Sequence, residues 1–282
     1  MKLTYILFVM IAPFFIVPCT AQEIKGIATY KSQRKVDIQL DSTHMNDEMR
    51  SQVMAMLKKN FEKEYTLDFT NDESIYKEVE NLDKPSVSTG GMEFVVATAG
   101  GSDILYKNTK KNRYANQNDL FGKQFLIEDD LEAIEWELGK ETKNIGEYTC
   151  FKATAKRIVM ATRVTESQGD ENKEEKIEEP EEEELTLIAW YTPQIPVKHG
   201  PSEYGGLPGL ILEVSDGRET ILCSKIVLNP KEGVHVKAPT KGKKVDQAAF
   251  DEIVEKKMKE MDERFKNNRR EDGNNIEIRI GG

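Results

Sequence analysis

Short stretches of alternating apolar and polar residues, each closed off by glycine, asparagine, aspartate or lysine, run through this chain from residue 64 to residue 228. "EYTLDFT" sets Tyr65, Leu67 and Phe69 in alternation, and "SIYKEVE" does the same after the turn-like "NDE". "MEFVVAT", "DILYKN", "RYANQ", "KQFLIED" and "AIEWEL" follow at similar spacing. A period of two is the pattern of half-buried strands, and many such strands in succession predict an antiparallel meander.

Longer strands flank that series. "IKGIATYKSQRKVDIQL", from Ile24, reads as a strand or hairpin, and "EYTCFKATAKRIVMATRV" as an extended strand. "LTLIAWYT" is another strand, and "LILEVSDGRETILCSKIVL" is a hairpin turning at Asp216-Gly217. Two segments change period. Met45, Met49, Val53, Met56, Leu57 and Phe61 share a helical face over residues 43–61, after a capping Ser42 or Thr43. Val245, Ala249, Ile253 or Val254, Met258, Met261 and Phe265 form a second stripe over residues 244–267. The terminal "IEIRIGG" alternates like a short strand or remains a tail. The expected fold is mainly β, of the α+β kind: a curved antiparallel sheet or half-barrel with two packed amphipathic helices.

Residues 166–184, "ESQGDENKEEKIEEPEEEE", hold eleven acidic side chains against two lysines and have little to bury, which predicts a disordered insertion. Strand-like sequence flanks it on both sides, so it reads as a long hairpin loop inside one domain spanning residues 22–282. It lacks the regular carboxylate spacing and turn glycine of a calcium loop, and no metal site is expected.

The N-terminus "MKLTYILFVMIAPFFIVPCTAQ" has one lysine, an apolar run and small residues before Gln22, which predicts a signal peptide over residues 1–21 and a secreted or periplasmic protein. Pro18 before Cys19 argues against a lipid anchor, and no later segment is apolar enough to span a bilayer. The formal net charge of −10 disfavours nucleic acid as a partner. With Cys19 removed, Cys150 and Cys223 remain, and an oxidising compartment predicts a disulfide between them.

The sequence contains no Walker A loop, dinucleotide fingerprint, nucleophile elbow or metal-ligand histidine spacing, and so implies no cofactor. Of His44, His199 and His235, His199 is the best functional candidate because it sits in a Pro/Gly-rich loop; a surface histidine is the plainer expectation. Acidic residues are too numerous to single out a catalytic pair.

The stretch "YGGLPGLILEV", Tyr204 to Val214, has no phosphate-binding lysine and runs into a strand, so its glycines read as structural. Pro208-Gly209 fits the centre of a type II turn, with Gly209 at positive φ; Leu210, Leu212 and Val214 then share one face, with Ile211 and Glu213 on the other.

"AWYTPQIPVKHGPSEYGGLPGLILEV", Ala189 to Val214, resembles the hallmark region of the GLPGLI family of secreted Bacteroidetes proteins, with Gly206, Leu207, Pro208, Gly209, Leu210 and Ile211 spelling the motif. "GEYTCFKATAK" and the "AQ" at the signal cut resemble it too. The resemblance implies a secreted or periplasmic β-rich protein of uncharacterised function, and it carries no catalytic or ligand residues. The expected function is a non-catalytic binding module for a hydrophobic ligand or an envelope protein. The alternatives are a hydrolase using carboxylates or His199, and an interaction module whose acidic loop binds cations.

Overall fold

In the computed structural model, residues 23–34, 37–40, 62–79, 88–89, 92–93, 103–161, 164–165, 176–177, 181–268 and 278–281 are described. The alternating segments pair into one open, 12-stranded mixed sheet. In chain order its strands are β1 (Gly26–Arg34), β2 (Glu62–Phe69), β3 (Glu73–Glu78), β4 (Ile104–Asn108), β5 (Arg113–Leu120) and β6 (Lys123–Asp130). They continue with β7 (Glu137–Ile145), β8 (Tyr148–Ala161), β9 (Glu181–Thr192), β10 (Leu210–Ser215), β11 (Glu219–Leu228) and β12 (Lys243–Val245). Across the sheet the order is β7-β8-β9-β10-β11-β1-β2-β3-β4-β5-β6-β12. The first strand thus lies in the middle, with Gly26 opposite Leu228 of β11 on one side and Phe69 of β2 on the other.

Hairpin chemistry sets much of this order. Between β10 and β11, Asp216 Oδ1 accepts from the backbone N–H groups of Arg218 and Glu219, and Gly217 takes φ +90°. Between β2 and β3, Thr70 and Glu73 bond to each other through backbone and hydroxyl. Register shifts at Thr29/Tyr30 and at Trp190/Tyr191 interrupt the ladders, and irregularities of this kind bend a sheet.

One face of the sheet carries the main core: Ala28 and Tyr30 of β1, Leu67 and Phe69 of β2, Ala153 of β8, Leu187 and Ala189 of β9, Val214 of β10 and Ile221 of β11. Ile195, Val197, Tyr204 and Leu207, from the connection between β9 and β10, close over them. A smaller core joins Leu120 of β5 and Phe125 and Ile127 of β6 to the helix α1 (Gln247–Asn268).

Among the described residues there is a single helix, and the segment 43–61, expected to form the other, lies outside them. Elsewhere the structure corrects the expected architecture in two ways. The sheet is not purely antiparallel, because β12 runs parallel to β6, Lys243 to Val245 opposite Phe125 to Ile127. The helix begins at Gln247, not at 244, since sheet pairing claims Lys243 to Val245 and Asp246 Oδ1 then caps the N–H of Ala249 at 2.8 Å. Phe250, absent from the predicted stripe, is the helix's main anchor, edge-on to Phe125 at 5.5 Å. Met258, in that stripe, is 44% exposed.

Two sequence expectations meet the described residues only in part. The terminal strand Ile278–Gly281 does pair, with Asp37–Leu40 in a separate two-stranded ribbon. Of the acidic segment, residues 176–177 pair with 164–165, and Glu181 to Glu184 continue β9 opposite β8; the rest of 166–184 lies outside the described residues. The signal segment 1–21 lies outside them as well. No helix among the described residues is long and apolar enough to cross a membrane.

Candidate functional site: the β9–β10 loop and its buried charges

Residues 193–209 are folded inward. Ile195, Val197 and His199 are fully buried at alternating positions, while Gln194, Pro196 and Lys198 face out. The loop makes its own ladder: the N–H of Val197 donates to Ile195 O, Gly206 to Lys198 O, Leu210 to Ile195 O at 2.9 Å and Ile211 to His199 O at 3.1 Å. Each fully buried Leu or Ile here contributes roughly 1.5–3 kcal/mol of hydrophobic stabilisation.

The motif Gly206–Ile211 is the hinge of this loop, and its geometry differs from the expected turn. Positive φ falls on Gly206, at +87°, and not on Gly209. The N–H of Gly209 donates to Leu207 O at 2.8 Å, closing a three-residue turn centred on Pro208, whose ring favours the φ such a turn needs. A type II turn is ruled out because Gly209 lacks the positive φ it requires, and the N–H of Leu210 that would close it is taken by Ile195 O. Gly209 is required for a different reason: a Cβ there would stand 2.2 Å from Thr192 O. Leu207, Leu210 and Ile211 are all buried, so both faces of the strand's start are covered and the simple alternation expected there begins only at Leu212.

A buried cation pins the loop. Lys107 of β4 is 3% exposed, and its Nζ donates to Gly200 O at 3.0 Å, to Tyr204 O at 2.9 Å and to Ser202 O. Ser202 itself sits at φ +49°, in the left-handed region. Three convergent carbonyls match the three N–H bonds of an ammonium and exceed the two of a neutral amine. Burial pulls Lys107 down to about 7, and the Glu203 carboxylate opposes that pull. Glu203 is in turn held by Arg157 of β8 at 2.7 Å.

His199 is wholly buried, not the surface residue its sequence context predicts, and neither ring nitrogen makes a hydrogen bond of normal geometry. Burial first and the Lys107 charge second push its pKa down to about 3, while hydrogen-bonding contacts with the backbone of Thr70 and Asn71, outside normal geometry, act the other way. The imidazole is therefore neutral and shut away from solvent. Two further bonds fasten the loop to the core face: Trp136 Nε1 donates to Gly205 O at 2.9 Å, and the Tyr30 hydroxyl to Ile211 O at 2.7 Å.

A second polar group lies on the same face. Tyr76 of β3 and Asn116 of β5 both pair with Leu105 of β4, and Asn118 Nδ2 donates to Asp103 Oδ2 at 3.0 Å. Tyr76 OH, Asn116 Oδ1 and Asp103 Oδ1 are buried without a partner. Burial raises the Asp103 carboxyl to about 6, against the hydrogen bond from Asn118. Tyr65 and Tyr76 stack at 4.8 Å beside this group.

Cys150 and Cys223 are both free and buried, so the expected disulfide is not formed. Burial raises their thiols, Cys150 to about 11 and Cys223 to about 12, which leaves them protonated and inert. No group of three or more His, Cys, Asp and Glu side chains among the described residues is arranged to hold a metal ion.

Lys107 and Asp103 escaped sequence reading, although a signal exists for the first. In "DILYKN", Lys107 has the same parity as Leu105, which places a charge on the buried face.

A family model described as a protein of unknown function (Porph_ging) matches residues 136–213, from Trp136 through β7, β8 and β9 to Glu213 of β10, and this span includes the motif at 206–211. The matched block is internally tied: Lys143 of β7 reaches Glu213 at 2.7 Å and lies 4.4 Å over the ring of Trp190 in β9. No curated protein matches the chain. Two solved structures are similar to it, described as the structure of PNGF-II in C2 and in P21 space groups, each at 14% identity. Their TM-scores are 0.44 and 0.43; 82% of this chain is covered in each case, against 32% and 33% of theirs. The chain spans about a third of the length of the solved proteins it matches.

Proposed function

We propose that the chain is a non-catalytic binding module working in a secreted or periplasmic setting, and that it takes a protein partner on its outer surfaces in preference to a lipid within. The observation that supports this is the inward fold of residues 193–209. Ile195, Val197, Leu207 and Leu210 occupy the apolar face that a hydrophobic ligand would need. The outer edge offers a different kind of contact. β7 has a neighbour on one side only, and most of its residues are exposed, leaving unpaired backbone groups for another chain.

Native mass spectrometry after gentle cross-linking, on protein purified in the absence of organic solvent, tests the reading. The expected result is a protein-bound species and no lipid adduct. A retained lipid overturns the choice of ligand, and a bare monomer across several preparations overturns the partner.

One observation favours a second reading, a hydrolase using a carboxylate. Asp103 carries a carboxyl raised by burial to about 6, with Oδ1 buried and unpartnered, and perturbed acids of this kind concentrate at active sites. A substrate screen of esters and glycosides at mildly acidic pH, with Asp103→Asn as control, decides it. Turnover that is absent, or unaffected by the substitution, removes the hydrolase.

A further inference from the structure

We propose that the β9–β10 loop is an acid-releasable plug, expelled from the face it covers when His199 takes up a proton. This goes beyond the binding role above, since it concerns when the covered face becomes available and does not depend on what binds there.

The geometry leaves an imidazolium poorly satisfied. His199 is fully buried and neither ring nitrogen makes a hydrogen bond of normal geometry, so only the backbone of Thr70 and Asn71 is at hand to offset the loss of water. The groups around it make matters worse. Lys107 of β4 already places a cation in the same dry site and uses all three donors on the loop's own carbonyls. The loop's Glu203 is bound by Arg157 of β8 and by Ser202. The β2–β3 turn approaches with the backbone of Thr70 and Asn71, and the nearby Glu73 is engaged by Tyr106 and Asn108. The remaining carboxylate of that turn, Asp72, is exposed to solvent, whereas His199 is buried.

Release relieves two adjacent buried positive charges at once, because both His199 and the Lys107 cradle reach water. The loop can leave without dismantling the sheet, since the ladders from β8 to β9 and from β1 to β2 do not pass through it. A solvated histidine titrates near 6.5, whereas the buried one is held near 3. Between those limits each pH unit tilts the equilibrium about tenfold toward release, or roughly 300-fold from near 6.5 to about pH 4.

Hydrogen exchange on the full chain, read by mass spectrometry at about pH 7 and about pH 4 and corrected for intrinsic rates, tests this. The amides of Val197, Gly206, Leu210 and Ile211 should lose protection by at least about a hundredfold at the lower pH, while strand amides in β8 and β9 hold theirs. In a Trp190→Phe background, Trp136 fluorescence should shift red over the same range as its bond to Gly205 breaks. His199→Gln should abolish both changes. Loop and strands losing protection together, or a His199→Gln chain with unchanged pH dependence, overturns the proposal. If His199→Gln does not fold, the wild-type slope decides: about tenfold per pH unit confined to loop amides supports release, and a flat profile refutes it.

Discussion

Lys107 and Trp136 donate to the carbonyls of adjacent residues, Tyr204 and Gly205, although seven strands separate β4 from β7 in the sheet. Laid flat, eight strand spacings span about 38 Å. Neighbouring peptide groups, even with the reach of the two side chains added, span well short of that, so the sheet must curl, and the β9–β10 loop links β4 to the start of β7. If the bridge acts as one unit, Trp136→Phe and Lys107→Met should be non-additive. Trp136→Phe alone should cost about 1–2 kcal/mol, and Lys107→Met about 3–5 kcal/mol, because three carbonyls lose their donor. Denaturant unfolding of the double mutant should show less than the summed loss; strict additivity would show that the two anchors hold independent pieces. Lys107→Arg should not restore stability, since a planar guanidinium does not match a three-carbonyl cradle.

The two glycines flanking the motif's proline should respond differently to alanine. At Gly209 a Cβ would lie 2.2 Å from Thr192 O, a backbone atom that cannot retreat, so Gly209→Ala should cost several kcal/mol, on the order of the largest single-site effects. At Gly206 a Cβ meets open space and only the φ of +87° is disfavoured, so Gly206→Ala should cost about 1 kcal/mol. Thermal melts of the two variants rank them; equal losses would contradict this division of roles.

Both thiols should be unreactive in the folded protein and accessible after unfolding. Labelling with a thiol reagent should proceed only in denaturant, and a reducing agent should leave the melting temperature unchanged. A reductant-dependent melt would reveal a bond between Cys150 and Cys223.

Asp103 gives a pH signature of its own. Its carboxyl is raised to about 6 in the fold against 3.8 in the unfolded chain, so the folded state binds the extra proton. The sign follows: its contribution is fully present below about 4 and is lost as pH rises through 6. Asp103→Asn should therefore gain stability at neutral pH, by less than about 2 kcal/mol after allowance for solvent, and gain little at about pH 4. Chemical denaturation at the two pH values checks this; an equal effect at both would mean that charge is not the cause.

Much of the sheet was legible because period-two alternation and turn residues are local signals. The pairs β2–β3 and β10–β11 follow directly from "NDE" and "SDG". The corner at Pro208 was legible too, but not its type, because the competing acceptor for Leu210 is Ile195, whose position no local pattern reports. His199 looked like a surface residue when judged by its proline- and glycine-rich surroundings. Its alternation with Ile195 and Val197 is the signal that would have placed it inside. The cysteine pairing failed for another reason: compartment arguments say whether a disulfide could persist, and say nothing about whether two sulfurs face each other.

The central position of β1 sets a timetable for the chain. Gly26 to Arg34 pair with Leu228 to Glu219, so the earliest strand waits for nearly the last before its second edge is satisfied. Contacts this distant in sequence slow folding and leave apolar strands open during synthesis. A polypeptide wired in this way keeps its first strand half-paired until almost all of the sheet's sequence is present.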